Sequence, residues 1–364
     1  MNQTVRKRGA KPKHKEQASI KDVARIAGVS IATVSRCIND QERVREATRR
    51  RVQNAISATG YRPNTLAQSF RRGKSQIIMV VLPSVGDPFF TAVMRGIRLV
   101  ATGRGYSLLI NETQFNTMTA DEIGAMIVSS HMDGIVLLAS MSPFGTEILS
   151  ARSHQTLPIV IGCETISPEL SDFPGVHIDN VGAALEATDY LLNMGHRNIA
   201  FIDGRESSLL TRDRKTGYCM AMRKARIPIQ AGWVQEGKMT IEGAIEATRL
   251  LLRHPVRPTA IFCANDEMAM GCMHAIKAAG LNIPRDISVI GFDDVRYAGI
   301  LDPPLTTIRQ PAEEIGKRVM HRLLREIEEG RSSSAVTEIV HHELIIRQSV
   351  APPSPADPAN QAAA

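Results

Sequence analysis

From residue 76 onward the chain gathers apolar residues into short unbroken runs and then spreads them at helical spacing. The runs "QIIMVVLPS", "YSLLINET", "DGIVLLAS", "LPIVIGCE", "NIAFIDG", "TAIFCAND" and "ISVIGFDD" are short, and most are nearly continuously apolar, so they predict strands covered on both faces. Between them, stretches such as "FFTAVMRGIRLVATGRG" and "EMAMGCMHAIKAAG" carry apolar positions along one helical face. This alternation predicts an α/β fold with parallel sheets, and seven or more strands over residues 76–350 suit two Rossmann-like lobes better than one.

The N-terminal fifth has a different rhythm. Ile20, Val23, Ala24 and Ala27 recur at helical spacing behind a start signal, Ser19 with Asp22 three residues on. Gly28 stops this helix, and Ser30 opens a second whose inward stripe is Val34, Cys37 and Ile38. A third follows in "EATRRRVQNAISATG", with Val52, Ala55 and Ile56 on one side. The small residue Ala24, the turn residue Gly28 and the gap-filling Val34 hold the spacing of a helix-turn-helix, so residues 18–63 are expected to be an all-α head. Its second helix then shows Ser30, Ile31, Ala32, Thr33, Ser35, Arg36 and Asn39 on or near the outer side, a mixture suited to a DNA major groove. Arg36 can give guanine O6 and N7 two hydrogen bonds, worth ~1–3 kcal/mol of discrimination.

Charge sharpens that reading. The whole chain carries +7, but residues 1–76 hold 18 Lys and Arg against 5 Asp and Glu, while the remainder is acidic. Positive charge concentrated on the head neutralises phosphates, and the acidic remainder has nothing to gain from a polyanion. The first seventeen residues hold six Lys or Arg without an apolar stretch or small-residue cleavage site, so they read as a basic disordered tail and not as a secretory signal. A cytoplasmic location is expected. Five widely spaced cysteines without a C-x-x-C pair are expected to be reduced and mostly buried. Residues 351–364 read as a second disordered tail.

Taken together, "IKDVARIAGVSIATVSRCIND" and "YRPNTLAQSF" resemble the headpiece of the lactose-repressor family of bacterial transcription factors. The later blocks "FCANDEMAMG", "ISVIGFDD" and "DPPLTTIRQP" extend the likeness to about residue 350, and "DPFF", "VHIDN" and "ELIIRQS" are similar to its cytidine-responsive branch. The resemblance implies a periplasmic-binding-protein-like core over 77–350. Its N-lobe is placed at about 77–178 and 309–341 and its C-lobe at about 179–308 and 342–350, with crossings near 178, 308 and 341. Ligands of open α/β sheets sit beyond the carboxyl ends of strands, and the loops there hold suitable groups. Phe89 and Phe90 offer rings for stacking on a planar ligand or a sugar face, while Asn265 and Asp293 offer hydrogen bonds. Arg214 precedes Gly217 in the family's "R-x-x-G" effector motif, and Glu164 and Asp179 match effector positions more loosely. Where relatives place a Phe, this chain has Met239.

In the same family, the segment matching residues 64–76 folds into a hinge helix on operator DNA and wedges a Leu into the minor groove. Here Phe70 stands at that position, with Leu66 beside it and Arg71 near the phosphates; the alternative is a flexible basic linker. No P-loop, G-x-S-x-G, H-E-x-x-H or G-x-G-x-x-G motif points to an enzyme. His341 and His342 adjoin in an apparent strand, which would aim them at opposite faces and rule out a shared metal. A solute receptor with the same two lobes, or a sugar- or nucleoside-binding enzyme, is the competing class. The reading head favours a cytoplasmic transcription regulator, most simply a repressor. It is expected to act as a homodimer on a two-fold symmetric double-stranded DNA operator, answering to a small effector, nucleoside or sugar, with no cofactor and no membrane.

Overall fold

The computed structural model describes residues 18–39, 44–61, 75–113, 132–138, 157–163, 170–205, 208–330 and 336–354. The chain divides into two units, Met1–Ser75 and Gln76–Ala364.

In the first unit, α1 (Ile20–Ala27), α2 (Ile31–Asn39) and α3 (Glu46–Thr59) close a core of Val23, Ala24, Ala27, Val34, Cys37, Val52 and Ala55. The start signal of α1 works as a capping box: the Ser19 hydroxyl and amide both donate to the Asp22 carboxylate, at 2.7 and 3.0 Å. Those bonds, with help from Arg25, hold the Asp22 pKa down at about 2. Gly28 takes φ +63°, the left-handed conformation that the sharp turn requires. Arg51 of α3 reaches back to donate to the carbonyls of Ala27 and Gly28, so the third helix braces the turn between the first two.

The second unit holds two six-stranded sheets. The first has strands β1 (Ile77–Leu82), β2 (Ser107–Glu112), β3 (Gly134–Leu137), β4 (Ile159–Gly162), β5 (Gly175–Ile178) and β11 (Thr337–Val340), in the order β11-β5-β4-β3-β1-β2. All its pairings are parallel. The second has β6 (Ile199–Asp203), β7 (Val234–Glu236), β8 (Ala260–Cys263), β9 (Ser288–Asp293), β10 (Thr306–Arg309) and β12 (Glu343–Ile345), in the order β12-β10-β9-β8-β6-β7. Within each lobe the first strand lies between the second and third, the doubly wound arrangement that opens a crevice at the carboxyl ends of the strands. The chain passes between sheets after Ile178, Arg309 and Val340.

The helices of this unit are α4 (Pro88–Gly103), α5 (Asn180–Asn193), α6 (Leu209–Lys224), α7 (Ile241–Leu252), α8 (Asp266–Ala278) and α9 (Ala312–Glu329). They pack in pairs, α4 with α9, α5 with α6 and α7 with α8. Glycine sets the closest approaches. A Cβ on Gly316 would fall onto the Val93 carbonyl, and one on Gly217 onto the Val181 carbonyl. The seam of α5 and α6 is thus closed at the glycine of the "R-x-x-G" motif, one turn from Arg214.

Two expectations are corrected. The second sheet is mixed, because the last crossing brings β12 back antiparallel to β10 on the sheet edge. His341 and His342 are not in a strand: they form the crossing between β11 and β12, where pleat alternation no longer applies. Their rings stack at 5.7 Å instead of pointing apart. Glu186 lies 3.1 Å from His342 Nε2. Among the described residues no group of His, Cys, Asp and Glu could hold a metal ion, and no helix is long and apolar enough to cross a membrane. Cys37, Cys163, Cys263 and Cys272 are buried and Cys219 half-buried, all as free thiols.

Candidate functional site

The reading helix α2 presents a usable face. Ser30 caps it, accepting from the Thr33 amide at 3.1 Å and sharing a hydrogen bond with the Thr33 hydroxyl. With Val34 and Cys37 buried inward, Ile31, Ala32 and Arg36 are exposed, and Thr33 and Ser35 are half-buried beside them. Ile31 keeps 45% of its surface open. Asn39 ends the helix, and its side chain lies outside the described residues. So do Leu66, Phe70, Arg71 and the rest of 62–74, as well as Glu164 and both tails, apart from residues 351–354.

In the core, the residues that assemble are those at the carboxyl ends of β1, β6, β8 and β9. Arg214, one turn into α6, is buried at 3% exposure. Its Nε donates to Asn180 Oδ1 at 3.0 Å and its Nη1 to the Ala264 carbonyl at 2.6 Å; the same Nη1 stands 3.7 Å from Asp293 Oδ1. The guanidinium lies over the Phe292 ring, 3.7 Å from its centroid. Asp293 in turn accepts from Gln310 Nε2 at 2.6 Å. Burial pushes its pKa well up, and Arg214 pulls the other way. The backbone there is strained, with φ +117° at Asp293 and +54° at Asp294.

The remaining expected contacts fall differently. Asn265 is buried and caps α8 by accepting from the Met268 amide at 2.8 Å. Asp179 is exposed and caps α5, accepting from Gly182 at 2.9 Å. Phe89 and Phe90 meet edge to face at 5.2 Å and retain 7% exposure each, so both rings are packed within protein.

Residues that sequence reasoning passed over complete the arrangement. Asp87 caps α4, accepting from the Phe89 amide at 2.8 Å, and its pKa is raised by burial against the pull of the Phe89 and Phe90 amides and of Arg214. Glu267 is pushed up to about 7 by burial and then by the carboxylates of Asp87 and Glu242. Asp266, fully buried, also sits at about 7 because of desolvation, although the Thr307 hydroxyl and the Val295 amide donate to it. Asn180 and Gln310 lay inside the quoted blocks "VHIDN" and "DPPLTTIRQP", and Asp87 inside "DPFF". The buried Arg214 thus meets three acceptors and one aromatic face, with further carboxyl groups nearby, an environment that suits a neutral ligand rich in hydroxyl and amine donors.

A helix-turn-helix head with an outward arginine, carried on a two-lobed core with a polar crevice, defines a ligand-responsive DNA-binding transcription regulator. Residues 19–64 match the family described as bacterial regulatory proteins, lacI family, and residues 188–350 match a periplasmic binding protein-like domain. The chain is 38% identical to the HTH-type transcriptional repressor CytR of Escherichia coli K12, over 93% of this chain and 97% of that protein. It is 34% identical to the ribose operon repressor of the same strain, over 85% of this chain and 93% of that one. A solved lac repressor dimer bound to operator and the anti-inducer ONPF is similar with a TM-score of 0.81 at 25% identity, over 92% of this chain and all of that one. The chain belongs to the lacI family.

Proposed function

We propose that this protein is a cytoplasmic repressor that binds a two-fold symmetric operator as a homodimer and is released by a small neutral effector, a nucleoside before a sugar. The observation that carries the effector reading is the buried Arg214, held against Asp293 at the carboxyl ends of the core strands, with the Asn180 and Ala264 oxygens as further acceptors and the Phe292 ring beneath it. Such a site recognises a polyhydroxylated ligand, and no catalytic role is assigned to it. Arg36, Ile31 and Ala32 read bases, and Ser30, Thr33 and Ser35 fix the helix on the duplex. The hinge reading of Leu66, Phe70 and Arg71 rests on family resemblance.

Two measurements test this. Thermal shifts of the full chain with nucleosides, ribose and cellobiose identify the ligand class, because a specific ligand raises the melting temperature by mass action. Gel-shift titrations on DNA selected in vitro then compare operator affinity with and without each binder. Operator affinity that no bound ligand moves would refute the effector switch.

A further inference from the structure

The effector-site residues do not stop at the crevice. Asp293 and Asp294 are consecutive, and their side chains leave a strained backbone in two directions. Asp293 faces Arg214, which is bonded to Asn180 just after the first crossing, and it also accepts from Gln310 in the second crossing. Asp294 accepts from Arg309 Nε at 2.7 Å, immediately before the second crossing, and from Arg347 at 2.6 Å. Arg309 Nη1 lies 3.1 Å from Glu343 Oε2, immediately after the third crossing. All three passages between the lobes therefore meet on one dipeptide.

The amides carry a second mark. Gln310 Oε1 and Asn180 Nδ2 are buried polar atoms with no partner among the described residues, and both belong to this chain of bonds at the crossings. Side chains placed only for stability do not usually leave buried polar atoms unsatisfied. A Gln at 310 makes physical sense when it must hold Asp293 in register with the crossing.

We propose that Gln310 and Arg309 are positioning residues that pass ligand engagement at Arg214 and Asp293 to the crossings, with Asp293 and Asp294 as the common joint. This rests on the effector reading above and deepens it. A ligand that draws Asp293 toward the crevice displaces Gln310 directly, and through the Asp293–Asp294 peptide it displaces Arg309 and Glu343. Coupling of this kind needs a contiguous network with two arrangements, and the chain Asn180–Arg214–Asp293–Gln310 supplies the contiguity.

The test uses the full chain with Gln310→Met, which keeps length and removes the amide, and with Arg309→Met, with Arg309→Lys as the conservative variant. Cytidine is the probe, its affinity measured by calorimetry and operator affinity by fluorescence anisotropy with and without it. In both Met variants the ratio of operator affinities with and without cytidine is expected to fall about tenfold, by more than cytidine affinity itself changes; Arg309→Lys recovers part of the ratio. An unchanged ratio, or one that falls only in step with cytidine affinity, overturns the proposal. A ligand-free arm measures amide hydrogen exchange at residues 178–182 and 340–344. Faster exchange at both places in Gln310→Met supports the joint, and changes confined to the neighbourhood of residue 310 overturn it. If wild type ignores cytidine, the choice of effector fails while the exchange arm still decides the joint.

Discussion

Replacing Arg214 by Met gives the most direct quantitative test of the buried pair. The substitution keeps the side chain's apolar bulk but removes the cation that the described residues place beside Asp293, and it strips donors from Asn180 Oδ1 and the Ala264 carbonyl. The lost hydrogen bonds and the lost stacking on Phe292 cost about 2 kcal/mol at any pH. The charge adds a part that depends on pH. Burial already raises the Asp293 carboxyl above its ordinary pKa of 3.8 with Arg214 in place, and removing the guanidinium takes away the largest opposing pull and raises it further, so the variant's folded state keeps its proton to a higher pH than the wild type's does. The sign follows from linkage. In the variant the folded state binds a proton that the unfolded state releases above pH 3.8, so the penalty grows as pH rises and shrinks as it falls. Urea unfolding of wild type and Arg214→Met at pH 5 and pH 7 should therefore show a smaller destabilisation at the lower pH, by at most about 3 kcal/mol, the limit for one proton over two pH units. Arg214→Met with Asp293→Asn should lose the pH dependence and recover part of the stability. A destabilisation equal at both pH values would refute the account of a desolvated carboxylate held by one guanidinium.

Other expectations are separable. Gly316→Ala places a methyl on the Val93 carbonyl at the seam of α4 and α9 and should destabilise the core by about 1–3 kcal/mol. Gly103→Ala, whose Cβ meets nothing, should be neutral or stabilising, and equal thermal shifts for the two would contradict the packing argument. His196 is buried, bonded to the Thr259 hydroxyl and the Ala351 carbonyl, with a pKa pulled down from 6.5 to about 4 by burial. The unfolded chain gains a proton near pH 6.5 that the folded one refuses until about pH 4. Stability present above pH 6.5 is thus lost on acidification, by about 2–3 kcal/mol at pH 4.5. His196→Gln should flatten that part of the denaturant profile, and an unaltered profile would remove His196 from the explanation. On the hinge reading, Phe70→Ala should lower specific operator affinity in gel shifts while sparing dimerisation and ligand-induced thermal shifts; full operator affinity would leave residues 64–76 as a linker.

What the amino-acid pattern discloses and what it hides differ for physical reasons. Strands such as β1, β8 and β9 were readable because both faces are covered and the run is apolar throughout. The short strands β5, β7, β10, β11 and β12 hold three or four residues with Thr, His, Gln or Glu among them, and their pairing is decided by a distant partner. The crossings share that difficulty, since His341 and His342 look like strand residues until the sheet they leave and the sheet they join are both known. In the site, Arg214 and Asp293 stood out because they fall in blocks that resemble the family's, the "R-x-x-G" motif and "ISVIGFDD". Asp87, Asn180 and Gln310 did not, because each sits next to a more eye-catching neighbour and gains its meaning from a partner that is not local in the chain.

On the proposed effector reading Arg214 is at once a structural and a ligand-facing group, so its loss moves several readouts together. Removing it unpairs Asp293, releases Asn180 at the first crossing and abolishes any contact with an effector, so stability, hinge order and affinity change together. Gln310 stands one hydrogen bond farther out, touches Asp293 but not Arg214, and belongs to the crossing itself. By reciprocity, an effector that weakens operator binding is itself bound more weakly by the operator complex, and each tenfold of that coupling is about 1.4 kcal/mol stored in the difference between two lobe arrangements. A single buried hydrogen bond, worth about 0.5–1.5 kcal/mol, is of the size of one such tenfold, and the bond between Gln310 and Asp293 is buried.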